Sequence, residues 1–360
     1  MKATILVTAA GGPGAVNMTR SLQMDPELRL VGCDASKYYI HLALTDVRAI
    51  VPRCSERSAY IEAVNHLCEK HGVDLIMPNN SLEAHVLSAE RDRLTAPVFL
   101  PPVETLDRAN SKWRSWNIWQ DAGLPVPQSW LIENRADLSR IFREHSERPV
   151  WVRGAGIPGK GIGGAALPCR SRHQAEAWID FYEGWGGMMA SEYLPGDNLT
   201  WIGLWENGEL ITSQGRRRLA YVIPHVSPSG ITGAPAISET IHREDLNELG
   251  ARAALTLDPK LSGVSFLDFK CDAAGQLRIT EMNAGRFGTT HHFYSVAGLN
   301  LPLLYVALAL NQPVSSTPAQ SNPLPAGLTW IRTLDAGPKL LQPGEVDALA
   351  SELKTPSQEG

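Results

Sequence analysis

The stretch from Gly263 to Thr290 reads GVSFLDFKCDAAGQLRITEMNAGRFGTT, two short apolar runs joined by the turn composition Asp272-Ala-Ala-Gly275. This pattern predicts a β-hairpin. A hairpin brings Asp268 of the first run beside Glu281 of the second, and Asn283, two residues further on, points to the same face as Glu281. Two carboxylates and an amide oxygen suit Mg²⁺, which proteins usually hold together with nucleotide phosphates. The stretch therefore predicts a magnesium site and a phosphate-bearing substrate, and a solvated hairpin with ordinary polar positions is the alternative.

This hairpin, followed by Arg286, resembles the metal-binding end of the ATP-grasp superfamily, in which an acidic residue and a Glu-x-Asn pair hold two Mg²⁺ ions. The resemblance implies that Asp268, Glu281 and Asn283 bind Mg²⁺ or Mn²⁺ and that Arg286 is catalytic. The superfamily usually has Pro-Arg directly after the Asn. In this chain Ala284-Gly285 intervenes, so the arginine comes one place later.

The composition indicates a globular protein of two or three domains, because 360 residues with 43% hydrophobic content can bury a large core. The net charge of −5 and the lack of a long basic run give no reason to expect a nucleic-acid partner. No apolar run reaches about 18 residues and the N-terminus has no cleavage pattern, so we expect a cytoplasmic protein with no membrane partner. The 5 scattered cysteines contain no C-x-x-C pair, which favours free thiols. A homodimer stays open.

The N-terminal segment predicts a parallel, doubly wound α/β sheet. An apolar run from Ala3 to Thr8, a glycine turn at 11–14 and a periodic segment from Val16 to Leu22 read as strand, turn and helix. Further short strands and helices alternate after it. The turn and the acidic strand end at Asp34 raise an alternative, a dinucleotide site, although Asn17 replaces the last glycine of that motif. ATP-grasp enzymes usually begin with a Rossmann-like domain that binds no nucleotide, and the resemblance implies such a domain here.

The polar triplet Asn79-Asn80-Ser81 follows a predicted strand, with Glu83 shortly after it. Ligands of open α/β sheets collect at the carboxyl ends of strands, so these residues are candidates for a substrate crevice. Ser81 is equally well read as a helix N-cap.

The segment from Lys112 to Gly123 resembles the entry motif of ATP-grasp enzymes, a helix led by Asp-Lys and closed by Gly-Ile-Pro-x-Pro. Ser111 stands where the Asp is usual. The resemblance implies that Lys112 contacts a nucleotide phosphate, whereas an ordinary lysine at this place would be a solvated surface residue.

A strand ending in Arg153 runs into a loop with six glycines between positions 154 and 164. Such a loop leaves backbone N–H groups free to approach a phosphate closely, and it is not a Walker A loop because no Ser or Thr follows Lys160. A flexible surface linker is the alternative. The resemblance implies that Arg153, Gly159, Lys160 and Gly161 bind the phosphates of ATP.

The strand at Met188–Glu192 enters a Pro-Gly turn and leaves as another strand, the pattern of a connector between two lobes. The resemblance implies that this connector holds adenine, with Glu192 near the exocyclic amine and the backbone at Tyr193 and Leu194 reading the base edge. Asn198 takes the ribose position, where an acidic residue is usual, and Asp197 is a neighbouring candidate. An apolar slot with few polar groups suits adenine.

Three consecutive arginines, Arg216, Arg217 and Arg218, follow a hairpin centred on Asn207-Gly208. Because strand residues alternate faces, at least one arginine should point into the protein. The functional interpretation is a grip on a substrate carboxylate or on the transferring phosphoryl group, for which we select Arg216 and Arg218 as catalytic residues. A solvated charged face is the alternative.

Adjacent histidines follow the hairpin stretch at His291 and His292. On a strand they would point in opposite directions, so at most one is expected to be functional, and a structural histidine is the preferred interpretation.

We therefore expect an α/β and α+β fold, with a Rossmann-like domain at 1–105, an ATP-grasp small lobe with the glycine-rich loop at 106–188, a large lobe with the metal hairpin at 189–340 and a C-terminal tail at 341–360. The expected function is that of a carbamoyl-phosphate-synthetase-like ATP-grasp ligase. It would use ATP and Mg²⁺ to activate a small-molecule carboxylate as an acyl phosphate, which an amine then attacks. The alternatives are a non-catalytic nucleotide-binding subunit and an NAD(P)-binding oxidoreductase.

Overall fold

The computed structural model describes residues 1–145, 148–160, 166–227, 229–230, 234–313, 318–334 and 339–345. The strands within them form one parallel and two antiparallel sheets, so the expected mixed α/β class is confirmed. No helix in these ranges is both long and apolar enough to cross a membrane. The C-terminal tail expected at 341–360 falls mostly on residues outside the described ranges.

The N-terminal part forms the parallel sheet, with strand order β3-β2-β1-β4. Its elements are β1 (Ala3–Val7), α1 (Pro13–Leu22), β2 (Leu28–Asp34), β3 (Val47–Ile50), α2 (Arg57–His71), β4 (Leu75–Met77), α3 (Ser81–Ala89) and α4 (Val103–Asn110). β1 and β4 are continuous apolar runs, as is typical of parallel strands buried on both faces. The side chain of Asn80 accepts the N–H of Glu83 and caps α3, so the reading of Ser81 as the N-cap is wrong.

The middle of the chain forms a four-stranded antiparallel sheet, here called the small sheet, with order β5-β8-β6-β7. Its segment contains α5 (Lys112–Asp121), β5 (Ser129–Ile132), α6 (Arg135–Glu144), β6 (Val150–Gly154), β7 (Ala166–Cys169), α7 (Arg172–Phe181) and β8 (Met188–Glu192). Ser111 caps the start of α5, because its side chain accepts the N–H of Arg114 at 3.3 Å. Ser and Asp are equally good N-cap residues, so Ser can replace the Asp that is usual in the ATP-grasp motif.

The third sheet, here called the large sheet, has the order β13-β12-β9-β10-β11-β14-β15. Its segment contains β9 (Asn198–Glu206), β10 (Glu209–Tyr221), β11 (Pro235–Ile241), α8 (Glu244–Leu257), β12 (Gly263–Cys271), β13 (Leu277–Ala284), α9 (His292–Val296), α10 (Leu301–Ala309), β14 (Thr329–Ile331) and β15 (Lys339–Leu341). Both predicted hairpins are confirmed. Asn207 and Gly208 turn β9 into β10 with φ angles of 50° and 87°, and β12 pairs with β13 so that Asp268 lies directly opposite Glu281.

Two apolar cores join the parallel sheet to the large sheet. One contains Leu6 and Val31 together with Trp201 and Leu267, and the other contains Ile5 together with Ile202 and Phe266. The small sheet has a separate core with α6 and α7. The parallel and large sheets are therefore one packed body, and the small sheet stands apart from it in its packing.

Helix α1 also fixes the segment that follows the β12–β13 hairpin. The Asn17 amide donates to the Thr289 carbonyl at 2.7 Å, and the Ser21 hydroxyl lies 3.0 Å from Nδ1 of His292. The two histidines lie at the start of α9 and not on a strand, because the chain enters a helical turn at this packed junction.

Candidate active site

A cleft of about 410 Å³ opens between the small sheet and the large sheet. Both sheets and the start of α5 contribute to its wall. Most of the site residues expected from the sequence line it: Lys112, Arg153, Glu192, Tyr193, Leu194, Asn198, Arg216, Arg218, Asp268, Glu281, Asn283 and Arg286. Lys112 and Arg286, which are 174 positions apart in the chain, thus meet in one cavity.

Glu281 on β13 faces two cations from the small-sheet side. Its Oε2 atom lies 3.2 Å from Nζ of Lys112 and 3.7 Å from Nη1 of Arg153. Burial alone would raise the pKa of Glu281, but the two cations outweigh burial and lower it to about 2. The carboxylate is therefore ionised throughout the physiological range. Arg153 also donates to the Thr280 carbonyl at 2.8 Å, which fixes it beside the hairpin.

Asp268 on β12 has an equivalent partner on the neighbouring strands. Arg218 forms a short ion pair with its Oδ1 atom and donates to Thr200 at 2.9 Å, and Thr200 donates to the same carboxylate at 3.0 Å. Burial lowers the pKa of Arg218, but Asp268 outweighs that effect and raises it. Glu281 and Asp268 therefore each already face a cation that also lines the cleft.

The three arginines of β10 divide between the two faces of the large sheet. Arg216 and Arg218 line the cleft, whereas Arg217 lies on the other face and pairs with Glu239 and Asp197. Arg216 is only 8% exposed, and none of the ion pairs among the described residues involves it. Burial lowers its pKa. A buried guanidinium without a carboxylate partner is costly, so its position points to an anionic ligand.

Arg286 reaches the cleft despite its shifted position in the sequence. Gly285 has a φ of 75°, a left-handed conformation that turns the chain before the arginine. Arg286 donates to Oδ1 of Asn283 at 2.9 Å and to Oγ of Ser81 at 2.7 Å, and its guanidinium lies 5.3 Å from the ring centre of Phe266. The parallel sheet thus contributes Ser81 to the setting of this arginine. The second lone pair of the Asn283 oxygen is available to another partner.

The connector between β8 and β9 forms the other end of the cleft. Glu192 forms two hydrogen bonds with the backbone of Gln128. Its Oε1 atom accepts the Gln128 N–H at 3.1 Å, and its own N–H donates to the Gln128 carbonyl at 2.9 Å. Tyr193, Leu194 and Asn198 line the cavity. Asp197 does not line the cavity, since its carboxylate pairs with Arg217 on the far face of the sheet.

The structure does not bring the described part of the glycine-rich loop to the cleft wall. Gly159 and Lys160 lie on an exposed turn in which the Lys160 N–H donates to the Ile157 carbonyl at 3.1 Å. Gly161 lies outside the described residues. Phosphate binding by this loop stays a prediction.

Sequence reasoning missed several cleft residues, among them Trp151, Lys270 and Tyr221. Trp151 and Lys270 lie two positions from Arg153 and Asp268 on the same strands, so strand alternation could have identified them. Lys270 donates to the Gly196 carbonyl at 2.7 Å, and burial lowers its pKa. Tyr221 follows a β-bulge in β10, which shifts its register, and no sequence signal marked that bulge.

The donor atoms on the hairpin fit a divalent ion that arrives with phosphates. No three residues of the His, Cys, Asp and Glu types come together as a metal cluster in the described ranges, and the candidate set consists of two carboxylates and one amide. A magnesium ion bound by few protein ligands takes its remaining ligands from water and phosphate. The surrounding cations supply the positive charge that phosphate oxygens require.

No family model matches the chain. A D-alanine–D-alanine ligase from Laribacter hongkongensis is 26% identical over 202 residues, which are 55% of this chain and 64% of that protein. The chain therefore aligns with somewhat less than two thirds of the length of this curated relative.

Solved structures resemble nearly the whole chain. An L-amino acid ligase from Bacillus licheniformis matches with a TM-score of 0.67 at 15% identity, covering 91% of this chain and 79% of that one. An N5-carboxyaminoimidazole ribonucleotide synthetase in complex with ADP matches with a TM-score of 0.68 at 16% identity, covering 91% and 81%. A biotin carboxylase from Campylobacter jejuni matches with a TM-score of 0.67 at 15% identity, covering 92% and 75%. These matches confirm the resemblance to the ATP-grasp superfamily found in the motifs, and the chain shares the fold of the three solved structures.

Proposed function

We propose that the protein is an ATP-dependent ligase that activates the carboxylate of a small molecule as an acyl phosphate and transfers the acyl group to an amine. The observation that carries this proposal is the pairing of opposite charges in one cleft, where Glu281 faces Lys112 and Arg153 and Asp268 faces Arg218. Such a site can take up a magnesium–triphosphate complex by exchanging these partners. The hairpin acids would then meet the metal and the cations would meet the phosphates.

The nucleotide would lie along the small-sheet side of the cleft. Adenine would occupy the slot beside Tyr193 and Leu194, with Glu192 at its polar edge and Asn198 at the ribose. Lys112 and Arg153 would contact the phosphates, and the glycine-rich loop with Gly159, Lys160 and Gly161 would cover them. Trp151 offers an apolar wall for the base.

The hairpin residues would supply the metal site. Asp268, Glu281 and Asn283 would hold Mg²⁺, which when bound neutralises charge on the phosphate oxygens. Asp268 and Glu281 lie opposite each other on paired strands, which gives the site a rigid base.

The substrate would lie at the Arg216 and Arg286 end of the cleft. We assign Arg216 to the substrate carboxylate, because its buried guanidinium pairs with no acid among the described residues. Arg286 and Arg218 would stabilise the charge on the transferring phosphoryl group. A carboxylate oxygen forms a bond to the γ-phosphorus while the bond to the ADP oxygen breaks. The amine nitrogen then bonds to the acyl carbon, inorganic phosphate leaves, and the nitrogen loses a proton.

The domain limits belong to the same proposal. A Rossmann-like domain at 1–105, a small lobe at 106–188 and a large lobe at 189–340 follow the order of the three sheets along the chain, and the tail at 341–360 lies mostly outside the described residues. The separate core of the small sheet, from Trp130 to Ala190, lies mostly within the small lobe, but Leu106 and Trp119 belong to a core of the other two sheets and β8 crosses the limit at 188. The limit at 105 lies inside α4 and within a shared core, so neither the elements nor the packing divides the chain at that position.

The test is ADP release from Mg-ATP in the presence of a pooled carboxylate library, with hydroxylamine present to trap an acyl phosphate as a hydroxamate. We expect ADP and hydroxamate to form together, and only with the pool members that are substrates. If Mg-ATP raises the melting temperature but no carboxylate yields ADP, the protein is a nucleotide-binding subunit without ligase activity. The Glu281→Gln variant is the negative control.

A further inference from the structure

A small cavity of about 20 Å³ lies behind Arg216 and shares this arginine, Phe266 and Gly288 with the cleft. We call this cavity the niche. Its remaining lining residues are Thr200, Ile202, Thr290, His291 and Tyr294. Its volume suits a single water molecule and is too small for a carboxylate or phosphate group.

Four polar atoms of niche residues are buried and lack a hydrogen-bond partner: Nη1 of Arg216, Oγ1 of Thr290, Nε2 of His291 and OH of Tyr294. The exposed fractions of these residues are 8%, 1%, 2% and 2%. Most buried polar atoms are satisfied by the protein or by an ordered water, so four unsatisfied atoms around one cavity indicate a missing common partner.

His291 supplies the niche with an acceptor. Its Nδ1 atom lies 2.7 Å from the Gly288 carbonyl, which can only accept, so the proton of the neutral ring resides on Nδ1 and Nε2 carries a lone pair. Burial lowers the pKa of His291 to about 3, and the charge of Arg216 acts in the same direction. The niche therefore presents a fixed donor from Arg216 and a fixed acceptor from His291.

Arg216 needs such a support more than its neighbour does. Arg218 lies two residues further along β10 on the same face and is held by Asp268 and Thr200. The two guanidinium groups repel each other: burial is the main cause that lowers the pKa of Arg216, Tyr294 acts against it, and Arg218 lowers the pKa further. No ion pair among the described residues holds Arg216 in place against that repulsion.

We propose that the niche binds one water molecule, which accepts a hydrogen bond from Nη1 of Arg216, donates one to Nε2 of His291 and makes a third with the hydroxyl of Tyr294. This water fixes the Arg216 guanidinium toward the cleft, so His291 and Tyr294 are positioning residues for Arg216. A cation is excluded from the niche by the arginine. The water site stands by itself, whereas its effect on substrate binding rests on the proposed function.

The first experiment is a crystal structure at high resolution of the full chain and of the Tyr294→Phe variant. We expect density for one water within about 3.2 Å of both Arg216 and His291 in the parent protein. In the variant we expect the water to be lost and the guanidinium to turn. Arg216 in an unchanged orientation in the variant, or a niche without density in the parent, overturns the proposal. This arm does not depend on any activity.

The second experiment measures steady-state kinetics for Tyr294→Phe and His291→Leu once a substrate is known. We expect KM for the carboxylate to rise by about 3- to 10-fold with KM for ATP unchanged, because Arg216 loses its orientation and the nucleotide contacts do not change. Tyr60→Phe is the matched control, since it deletes a buried tyrosine hydroxyl in the N-terminal domain. Equal effects on both KM values, or an equal effect of Tyr60→Phe, contradict the positioning role. Should His291→Leu fail to fold, Tyr294→Phe carries the test, and should the parent protein release no ADP, the crystal structures decide.

Discussion

The cleft and the N-terminal glycine turn both contain acids that are largely shielded from solvent, but the two regions satisfy these acids in different ways. In the cleft, Glu281 and Asp268 face long cationic side chains that also border open space. In the N-terminal turn, Asp34 accepts the N–H groups of Gly11 at 3.1 Å and Ser36 at 2.8 Å. Acids held by mobile cations can exchange partners with a ligand, whereas an acid held by backbone N–H groups is part of the fold.

The glycines of the N-terminal turn are closely packed by other parts of the chain. A Cβ atom on Gly11 would lie 1.9 Å from the Tyr39 carbonyl oxygen, and one on Gly14 would lie 2.5 Å from the side chain of Asn79. Tyr39 and Asn79 thus pack directly against the glycines of the N-terminal turn. This packing argues against the oxidoreductase alternative and leaves the cleft as the place for a nucleotide.

The largest effect is expected when one acid of the cleft is neutralised. We expect Glu281→Gln to lower kcat for ADP formation by on the order of 10²-fold or more, because the transferring phosphoryl group loses part of its charge stabilisation. Glu239→Gln is the matched control, since Glu239 pairs with Arg217 on the other face of the same sheet. Near-normal turnover of Glu281→Gln at saturating Mg²⁺ would contradict the assignment of Glu281 as a metal ligand.

The cations of the cleft offer a second test. We expect Lys112→Met to weaken Mg-ATP binding by about 10- to 100-fold, or roughly 1.4 to 2.7 kcal/mol, because this lysine stands 3.2 Å from Glu281 at the proposed phosphate position. Isothermal titration calorimetry measures the change in Kd. The control is Lys70→Met, which removes an exposed lysine at the end of α2. Equal affinities of Lys112→Met and the parent protein would remove Lys112 from the site.

A third prediction concerns the internal acids of the N-terminal part. Burial raises the pKa of Glu83 from 4.5 to about 7, and the Thr8 hydroxyl, which donates at 2.7 Å, only partly offsets this. Between pH 4.5 and about 7 the folded state therefore binds more protons than the unfolded state. The contribution of Glu83 to stability is greatest below pH 4.5 and is lost as the pH rises through about 7.

We therefore expect the melting temperature to rise by a few degrees when the pH falls from 8 to 6, and the Glu83→Gln variant to lose most of that dependence. Differential scanning calorimetry without nucleotide checks both. A pH dependence that survives in the variant would show that other groups cause it.

The smallest expected effect is none at all. Because Tyr39 and Asn79 fill the N-terminal turn, NADH and NADPH should neither quench tryptophan fluorescence nor raise the melting temperature, whereas Mg-ATP should raise it. Stabilisation by NADPH without stabilisation by Mg-ATP would indicate that the N-terminal turn, and not the cleft, binds the nucleotide.

The sequence predicted those parts of the site that depend on local pattern. Asp and Gly are common turn residues, so Asp272 and Gly275 predicted the turn of the hairpin. The apposition of Asp268 and Glu281 then followed from a few neighbouring residues. Strand alternation placed Arg216 and Arg218 on one face.

Contacts between distant segments could not be predicted in this way. The hydrogen bond from Arg286 to Ser81 joins positions 205 residues apart, and nothing near either residue specifies it. The bulge that directs Tyr221 to the cleft and the burial of the four niche atoms depend on packing as well. Glycine composition indicated a turn at Gly159 but not its location relative to the cleft.

The separate core of the small sheet has a consequence for unfolding. The parallel and large sheets share two cores and should melt as one cooperative unit, while the small sheet with α6 and α7 is a smaller foldon with its own local stability. A nucleotide that contacts both Arg153 and the β12–β13 hairpin would link the two units thermodynamically. Binding would then merge two unfolding transitions into one, and the breadth of the melting curve would report whether the cleft is filled.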